Sequence, residues 1–246
     1  LALEEMGIQP ESSHHEAGPG QNEIDFLAAD ALRSADNFMT YRNVVTSIAA
    51  KNGGYASFDP SPIKNKSGNG LHLKITLHRG GEDICETRPE LFEKFMGGVY
   101  ANIRDITLFL NPTASSYARF GKDEAPKAIS WSHKNFSRLM RLSYKADGRP
   151  DGFILRSPDP SVNPYLAFAM ILEAGLYGIA NNLSLPQEEE KKHAKDRSLR
   201  DEVSLRILPA SLDEAIAAAR ESEFIASCGC RDIAAHFIAA VTNPMM

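Results

Sequence analysis

Apolar residues recur at helical spacing in three long stretches of the chain. Residues 28–51 carry Leu32, Phe38 and Ile48 in this pattern, and the following Asn52-Gly53-Gly54 is a typical helix stop. The pattern returns at residues 89–110 and 164–182, and a proline stands in the first turn of the last stretch. We therefore expect three long helices. Two shorter helices should follow, one after a capping box formed by Ser211 and Glu214, and one over residues 231–241.

Alternation of apolar and polar residues predicts strands elsewhere. In residues 71–79 the apolar members are Leu71, Leu73, Ile75 and Leu77, and the polar ones are His72, Lys74, Thr76 and His78. Strands are also expected near residues 137–144 and 151–156, and a short one at 55–62. Residues 11–26 surround a Gly-Pro-Gly turn and predict a hairpin, whereas 111–126 resemble a loop.

Size and charge narrow the functional classes. The 246 residues suit one domain, and a net charge of −5 gives no basic surface for nucleic acid or anionic lipid. No apolar run is long enough to cross a membrane, and three cysteines are too few for a disulfide scaffold. We expect a cytoplasmic protein with reduced thiols. The opening segment LALEEMGI is helix-like and has no initiating Met, which suggests a piece of a longer polypeptide.

The predicted hairpin carries the strongest chemical feature. Glu16 and Glu23 lie on opposite arms of its turn, where two carboxylates would repel each other. A bound divalent cation or a raised pKa would explain their proximity, and a hard metal is the natural candidate. A solvated hairpin whose acidic side chains face water explains the same pattern about equally well.

Two further features gain meaning only in combination. The turn Gly68-Asn69-Gly70 leads into a strand with His72 and Lys74 on its polar side, and its backbone N–H groups could approach a phosphate or carboxylate. Arginine suits the same anions because its planar fork pairs with their oxygens. Four arginines could bind such an anion together, but each of them alone is explained equally well as an ordinary surface residue: Arg119, Arg138, Arg141 and Arg156.

The order of the motifs resembles the catalytic domain of glutamine synthetases over nearly the whole chain. The motifs are HHEAGPGQNEIDF, ASFDPSP with GNGLH, NPTASSYARF with EAP and ISW, RSPDPSVNPYLAFAMILEAGLYGI, and LPASLDEAI. Such enzymes use ATP to phosphorylate the side-chain carboxylate of glutamate, and ammonia then displaces the phosphate. The resemblance implies an α+β fold in which a curved, mainly antiparallel sheet is backed by the helices at 28–51, 89–110 and 164–182. Its concave face would carry Glu16, Glu23, His72, Arg141 and Arg156.

The resemblance also implies a role for each matched position. Two Mg²⁺ or Mn²⁺ ions would be bound per site, the first by Glu16 and Glu23 and the second by His72. Arg119 and Glu124 would be catalytic, with Glu124 on a flap that shields the intermediate and helps to deprotonate ammonium. The remaining positions would bind glutamate (Ser67, Gly68, Arg119 and Arg156) or ATP (Glu11, Lys74, Thr76 and Arg141).

Several positions depart from the family pattern. The second metal's carboxylate should stand two residues before Arg156, where this chain has Ile154. Phe136 replaces an arginine that contacts substrate and ATP, and the other metal-binding carboxylates of the family lie in a Glu-x-Glu strand before the start of this sequence. We therefore expect the 246 residues by themselves to be inactive.

The sequence leaves two hypotheses open. The first is an ATP-dependent ligase that joins glutamate to ammonia or another amine, working as a homo-oligomer in its full-length form. The second is a divergent relative that binds nucleotide, glutamate or a protein partner without catalysis. Ile154 and Phe136 are the features that favour the second.

Overall fold

A computed structural model describes residues 2–122, 125–188 and 206–243 and has an α+β fold. Long helices and short strands alternate along it. The helices are α1 Ala2–Glu5, α2 Ala31–Lys51, α3 Ile84–Thr87, α4 Pro89–Leu110, α5 Ala114–Arg119, α6 Pro164–Ala180, α7 Leu212–Glu221, α8 Glu223–Ser227 and α9 Arg231–Thr242. The strands are β1 Pro10–His15, β2 Asn22–Phe26, β3 Leu73–Ile75, β4 His78–Arg79, β5 Glu82–Asp83, β6 Trp131–Ser132, β7 Met140–Tyr144 and β8 Pro150–Leu155.

The largest sheet has four strands in the order β3-β8-β7-β6. β8 is antiparallel to both of its neighbours, and β6 runs parallel to β7. One face of the sheet is apolar, since Phe153 and Leu155 of β8 are fully buried. The opposite face is left for polar side chains, as the alternation in the sequence predicts.

The hairpin β1–β2 forms a two-stranded sheet of its own. This differs from the expectation that Glu16 and Glu23 share one continuous sheet with His72 and Arg141. The chain turns through Gly18 and Gly20 and the two arms pair with each other, with His14 opposite Glu23. Side-chain hydrogen bonds, described below, connect this hairpin to the rest of the molecule instead of strand pairing.

Local sequence signals explain where the long helices begin. Asp30 caps α2 by accepting a hydrogen bond from the backbone N–H of Arg33, and Asn163 caps α6 in the same way. Pro89 stands at the start of α4, where its missing N–H costs nothing. The three predicted long helices are confirmed. Ser211 caps α7, but the Glu214 carboxylate accepts from Ala210 instead of closing the predicted box with Ser211.

Two predictions about local structure are wrong. Residues 55–62 form no strand, because the side-chain amide of Asn69 binds the carbonyls of Ser57 and Asp59 and holds the segment in an irregular path. Residues 111–126 are not all loop, since α5 begins after Thr113, which exchanges hydrogen bonds with Ser116. This short helix positions Arg119 at its end.

The core is formed where α4 and α6 cross beneath the sheet. Phe95, Val99, Ile103 and Ile106 of α4 are buried in it. Gly98 and Gly178 let the two helix backbones approach directly, because a Cβ at Gly98 would lie 2.6 Å from the backbone nitrogen of Gly178. Within the described residues, no helix is both long and apolar enough to span a bilayer.

Candidate active site

A cavity of about 210 Å³ opens between the hairpin, the glycine-rich turn at residues 67–72 and the end of α5. Its lining is mixed and includes aromatic residues of α2 and the hairpin as well as polar groups. Six residues that were assigned a site role from the sequence line this cavity: Glu16, Glu23, Ser67, Gly68, His72 and Arg119.

The two hairpin carboxylates lie together, as the sequence predicts. Glu16 follows β1, Glu23 lies in β2, and their side chains are within hydrogen-bonding reach of each other. His14 Nε2 is 3.0 Å from Glu16 Oε1 and 3.9 Å from Glu23 Oε2. Within the described part of the chain, this is the only group of three or more carboxylate, thiol or imidazole side chains whose ligand atoms are close enough to share one cation.

Glu23 is held in an unfavourable environment for a charge. Burial, the neighbouring carboxylate of Asp25 and the contact with Glu16 raise its pKa to about 7. A divalent cation would compensate the crowded negative charge, and carboxylate oxygens are the ligands that Mg²⁺ and Mn²⁺ prefer. The donor set therefore fits a hard cation.

Gln21 joins the hairpin to the glycine-rich turn. Its side-chain oxygen accepts from Gly18 N–H, and its amide nitrogen donates to the Gly68 carbonyl at 2.9 Å and to Asn69 Oδ1 at 3.0 Å. Gly68 has no room for a side chain, because a Cβ there would overlap the Pro60 carbonyl oxygen and touch Arg119. The turn is therefore packed closely against the arginine.

Arg119 is a buried residue in the wall of the cavity. Its guanidinium donates to the carbonyls of Ser157 and Pro158, while its Nε–H has no hydrogen-bond partner among the described residues. Burial lowers its pKa to about 10, so the group stays charged at neutral pH. The buried carboxylate of Asp159 favours this charge and is itself bound by Asn111 at 2.8 Å. Arg119 thus provides a fixed positive charge and one N–H donor that no described residue binds.

His72 stands at the entrance to β3 beside these groups. Its pKa falls to about 4 through desolvation and the positive charges of Arg156, Arg119 and Arg141, with Glu16 acting in the opposite direction. The imidazole is therefore neutral at physiological pH. A Cβ added at Gly70 would lie 3.4 Å from His72 Nε2 and 3.3 Å from an Arg119 nitrogen. The turn, the histidine and the arginine are therefore in close proximity.

The polar face of the sheet carries a second group of cationic residues. Lys74 and Arg141 both stand opposite Ile154 in the strand register, one on each side. Lys74 forms an ion pair with Asp151 at 2.8 Å, and the Arg141 guanidinium lies 4.1 Å from the centre of the Phe136 ring. Arg156, two residues after Ile154, is buried.

The remaining predicted positions are less central. Glu11 lies on the exposed side of β1 and does not line the cavity. Thr76 is half-buried at the end of β3, where its methyl group approaches Gly152. Glu124 lies outside the described residues.

Sequence reasoning missed two contributors to the site. His14 was not predicted as a ligand, although strand pairing places it opposite Glu23 and on the same side as Glu16. Gln21 carried no signal of its own, because its partners Gly68 and Asn69 are 47 and 48 residues away in the chain.

The fold and the cavity together define a class of protein: an α+β domain with a carboxylate pair, a glycine-rich turn and buried arginines around one site. The chain belongs to the glutamine synthetase catalytic-domain family, whose model, described as "Glutamine synthetase, catalytic domain", matches residues 1–243.

Individual relatives agree with this assignment. Glutamine synthetase from Methanosarcina mazei is 40% identical over 248 aligned residues, which cover 97% of this chain and 55% of that protein. Glutamine synthetase from Clostridium saccharobutylicum is 43% identical over 231 residues, covering 91% and 52%. Among solved structures, a GmaS/ADP complex matches with a TM-score of 0.86 at 28% identity, over 98% of this chain and 57% of that one. The chain spans about half the length of the curated relatives it matches.

Proposed function

We propose that the protein is an ATP-dependent ligase that activates glutamate as γ-glutamyl phosphate and transfers the acyl group to ammonia. The observation that carries this proposal is Arg119, a buried cation with an Nε–H donor that no described residue binds, on the wall of a cavity that also holds a carboxylate pair. Such an arginine suits a small carboxylate substrate. Family membership supplies the reaction class.

In the proposed reaction, a side-chain oxygen of glutamate attacks the γ-phosphorus of ATP and the bond to the bridging oxygen of ADP breaks. Ammonia then attacks the acyl carbon, and phosphate leaves. Arg119 and Arg156 would hold the glutamate carboxylates, together with Ser67 and Gly68 of the turn. Glu124 would take a proton from ammonium, and a cavity closed to water would protect the acyl phosphate from hydrolysis.

Concentrated negative charge must be balanced for this transfer. Lys74, Thr76 and Arg141 on the sheet, with Glu11 nearby, are the proposed ATP contacts, and the similar GmaS structure contains ADP. A divalent cation held by Glu16, Glu23 and His14 would screen the phosphates. The residues around His72 do not fit a second cation equally well, because Ile154 offers no oxygen and the positive charges of three arginines act on the imidazole.

The test is formation of γ-glutamyl hydroxamate by the full natural protein, with hydroxylamine in place of ammonia, ATP and Mg²⁺. We expect ATP-dependent product. Arg119→Ala should lower kcat/KM for glutamate by about a hundredfold, since it removes a buried charge-assisted contact. Arg231→Ala, at an exposed position on α9, is the matched control and should behave like the unaltered protein.

Absence of product with hydroxylamine, ammonia and simple alkylamines, in a protein that still binds ATP, would overturn the ligase proposal. It would favour the second candidate, nucleotide binding without turnover, which the replacement of a ligand carboxylate by Ile154 supports. We also propose that residues 1–246 alone form no hydroxamate, and that the working enzyme is a homo-oligomer whose neighbouring subunits complete each site.

A further inference from the structure

We propose that each site binds a single divalent cation, at the Glu16–Glu23 pair, and that Arg141 and Lys74 on either side of Ile154 take phosphate charge directly in place of a second cation. The phosphate part rests on the proposed binding of ATP. The cation part can be measured without nucleotide or turnover.

The strand register places an apolar side chain between two cationic ones. Lys74 in β3 and Arg141 in β7 both pair with Ile154 in β8, so the three side chains share one face of the sheet in a row. Ile154 is half-buried and provides no oxygen ligand. A hard cation at this face would meet two positive charges and a hydrocarbon.

The nearby carboxylate of Asp151 is already engaged. It binds Lys74 Nζ at 2.8 Å and also accepts from the Ser143 hydroxyl. A cation that recruited Asp151 would have to break both contacts. Asp151 therefore acts as a tether for Lys74, which keeps that ammonium group at the edge of the row.

The charges around His72 lead to the same conclusion. Arg119 lies beside this histidine, since a Cβ at Gly70 would be 3.4 Å from His72 Nε2 and 3.3 Å from an Arg119 nitrogen. Arg156 and Arg141 add further positive charge, and Glu16, already part of the hairpin group, acts in the opposite direction. Oxygen-rich surroundings are what Mg²⁺ and Mn²⁺ need. A phosphate group, in contrast, would be stabilised by the same three guanidinium groups.

Phe136 contacts Arg141 and orients its guanidinium group for phosphate binding. The guanidinium lies over the aromatic ring at 4.1 Å, while the ring itself is 69% exposed. Stacking occupies one flat face of the guanidinium and leaves the N–H groups at its edge free to point at an anion. Phe136 is thus a positioning residue for Arg141.

The experiment counts Mn²⁺ bound to the full natural protein, without nucleotide, from the electron paramagnetic resonance signal of the free ion. We expect one Mn²⁺ per subunit, its loss in Glu16→Gln, and a second bound ion in Ile154→Glu. Ile233→Glu adds the same charge at an exposed position of α9 and should leave the count at one. Two ions in the unaltered protein, or one ion in a folded Ile154→Glu variant, would refute the single-cation site.

A second measurement covers the phosphate contact and does not need Ile154→Glu to fold. At saturating Mn²⁺, Arg141→Ala should weaken binding of the non-hydrolysable ATP analogue AMP-PNP by about tenfold and Phe136→Ala by less, with the Mn²⁺ count unchanged. Arg231→Ala is again the control. An unchanged affinity in Arg141→Ala would exclude the direct contact. Failure of the ligase assay alone would leave both measurements intact.

Discussion

At the scale of single residues, Glu23 lines the cavity in surroundings that disfavour its negative charge. Its pKa of about 7 means that the folded protein holds this proton more tightly than the unfolded chain, whose value is 4.5. Without a metal, stability therefore falls as pH rises from about 4.5 to about 7, and is level above that range. Crowded acidic groups of this kind are typical of functional sites.

Replacement of Glu23 by Gln should remove this pH-dependent loss. In EDTA, Glu23→Gln should melt at a higher temperature than the unaltered protein at about pH 8, and at nearly the same temperature at about pH 5. Added Mn²⁺ should stabilise the unaltered protein more than the variant. Glu11→Gln, on the exposed side of the same hairpin, is the control. Equal melting temperatures at high pH would contradict the unfavourable burial of this charge.

At the scale of elements, Gln21 joins the hairpin to the glycine-rich turn through two hydrogen bonds. The hairpin carries the acidic groups, and the turn packs against Arg119, so the Gln21 amide fixes the distance between the proposed cation and carboxylate positions. A shift of the hairpin against this turn would alter glutamate binding before it altered nucleotide binding, because Lys74 and Arg141 lie in a sheet that the hairpin does not join.

Gln21→Ala should therefore raise KM for glutamate by about tenfold and leave KM for ATP close to its original value, since a misplaced contact costs on the order of 1–2 kcal/mol. Steady-state kinetics with each substrate varied in turn would measure this. Ser12→Ala, which removes a hydrogen bond to Asp25 on the same hairpin, is the control. An equal loss for both substrates would indicate general destabilisation instead of a positioning role.

At the scale of the whole molecule, the crossing of α4 and α6 holds the sheet and the site-bearing loops together. Gly98 and Gly178 face each other at this crossing, and Gly175 accommodates the Phe95 ring. The two helix backbones are in contact with no side chain between them. A methyl group added here would overlap backbone atoms, which cannot move aside as a flexible side chain can.

Gly98→Ala should lower the free energy of unfolding by roughly 1–3 kcal/mol, as expected for overpacking. Gly54→Ala is the matched control, because a Cβ there would make only an ordinary contact at 3.7 Å and its φ is not in the left-handed region. Its effect should stay within about 0.5 kcal/mol. Denaturant unfolding of the three proteins would compare them, and equal midpoints would contradict the close helix contact.

The local pattern of the sequence was enough for the long helices, the hairpin and the strands β7 and β8. Helical and strand periodicity depend on neighbours a few positions apart, and caps such as Asp30 and Asn163 act within one turn, so these elements can be inferred without knowing the fold. The ordered motifs also identified the family. They indicated which residue types the site contains, from Glu16 to Arg156.

Tertiary structure decided how these residues meet. His14 joins the two carboxylates, Gln21 reaches across to Gly68, and Ile154 comes to lie between Lys74 and Arg141, each through pairing between chain segments or strands. The irregular path of residues 55–62 has the same origin, because Asn69 supplies its hydrogen bonds from a different part of the chain. Long-range contacts of this kind depend on the packed arrangement of all elements, and no short stretch of sequence encodes them.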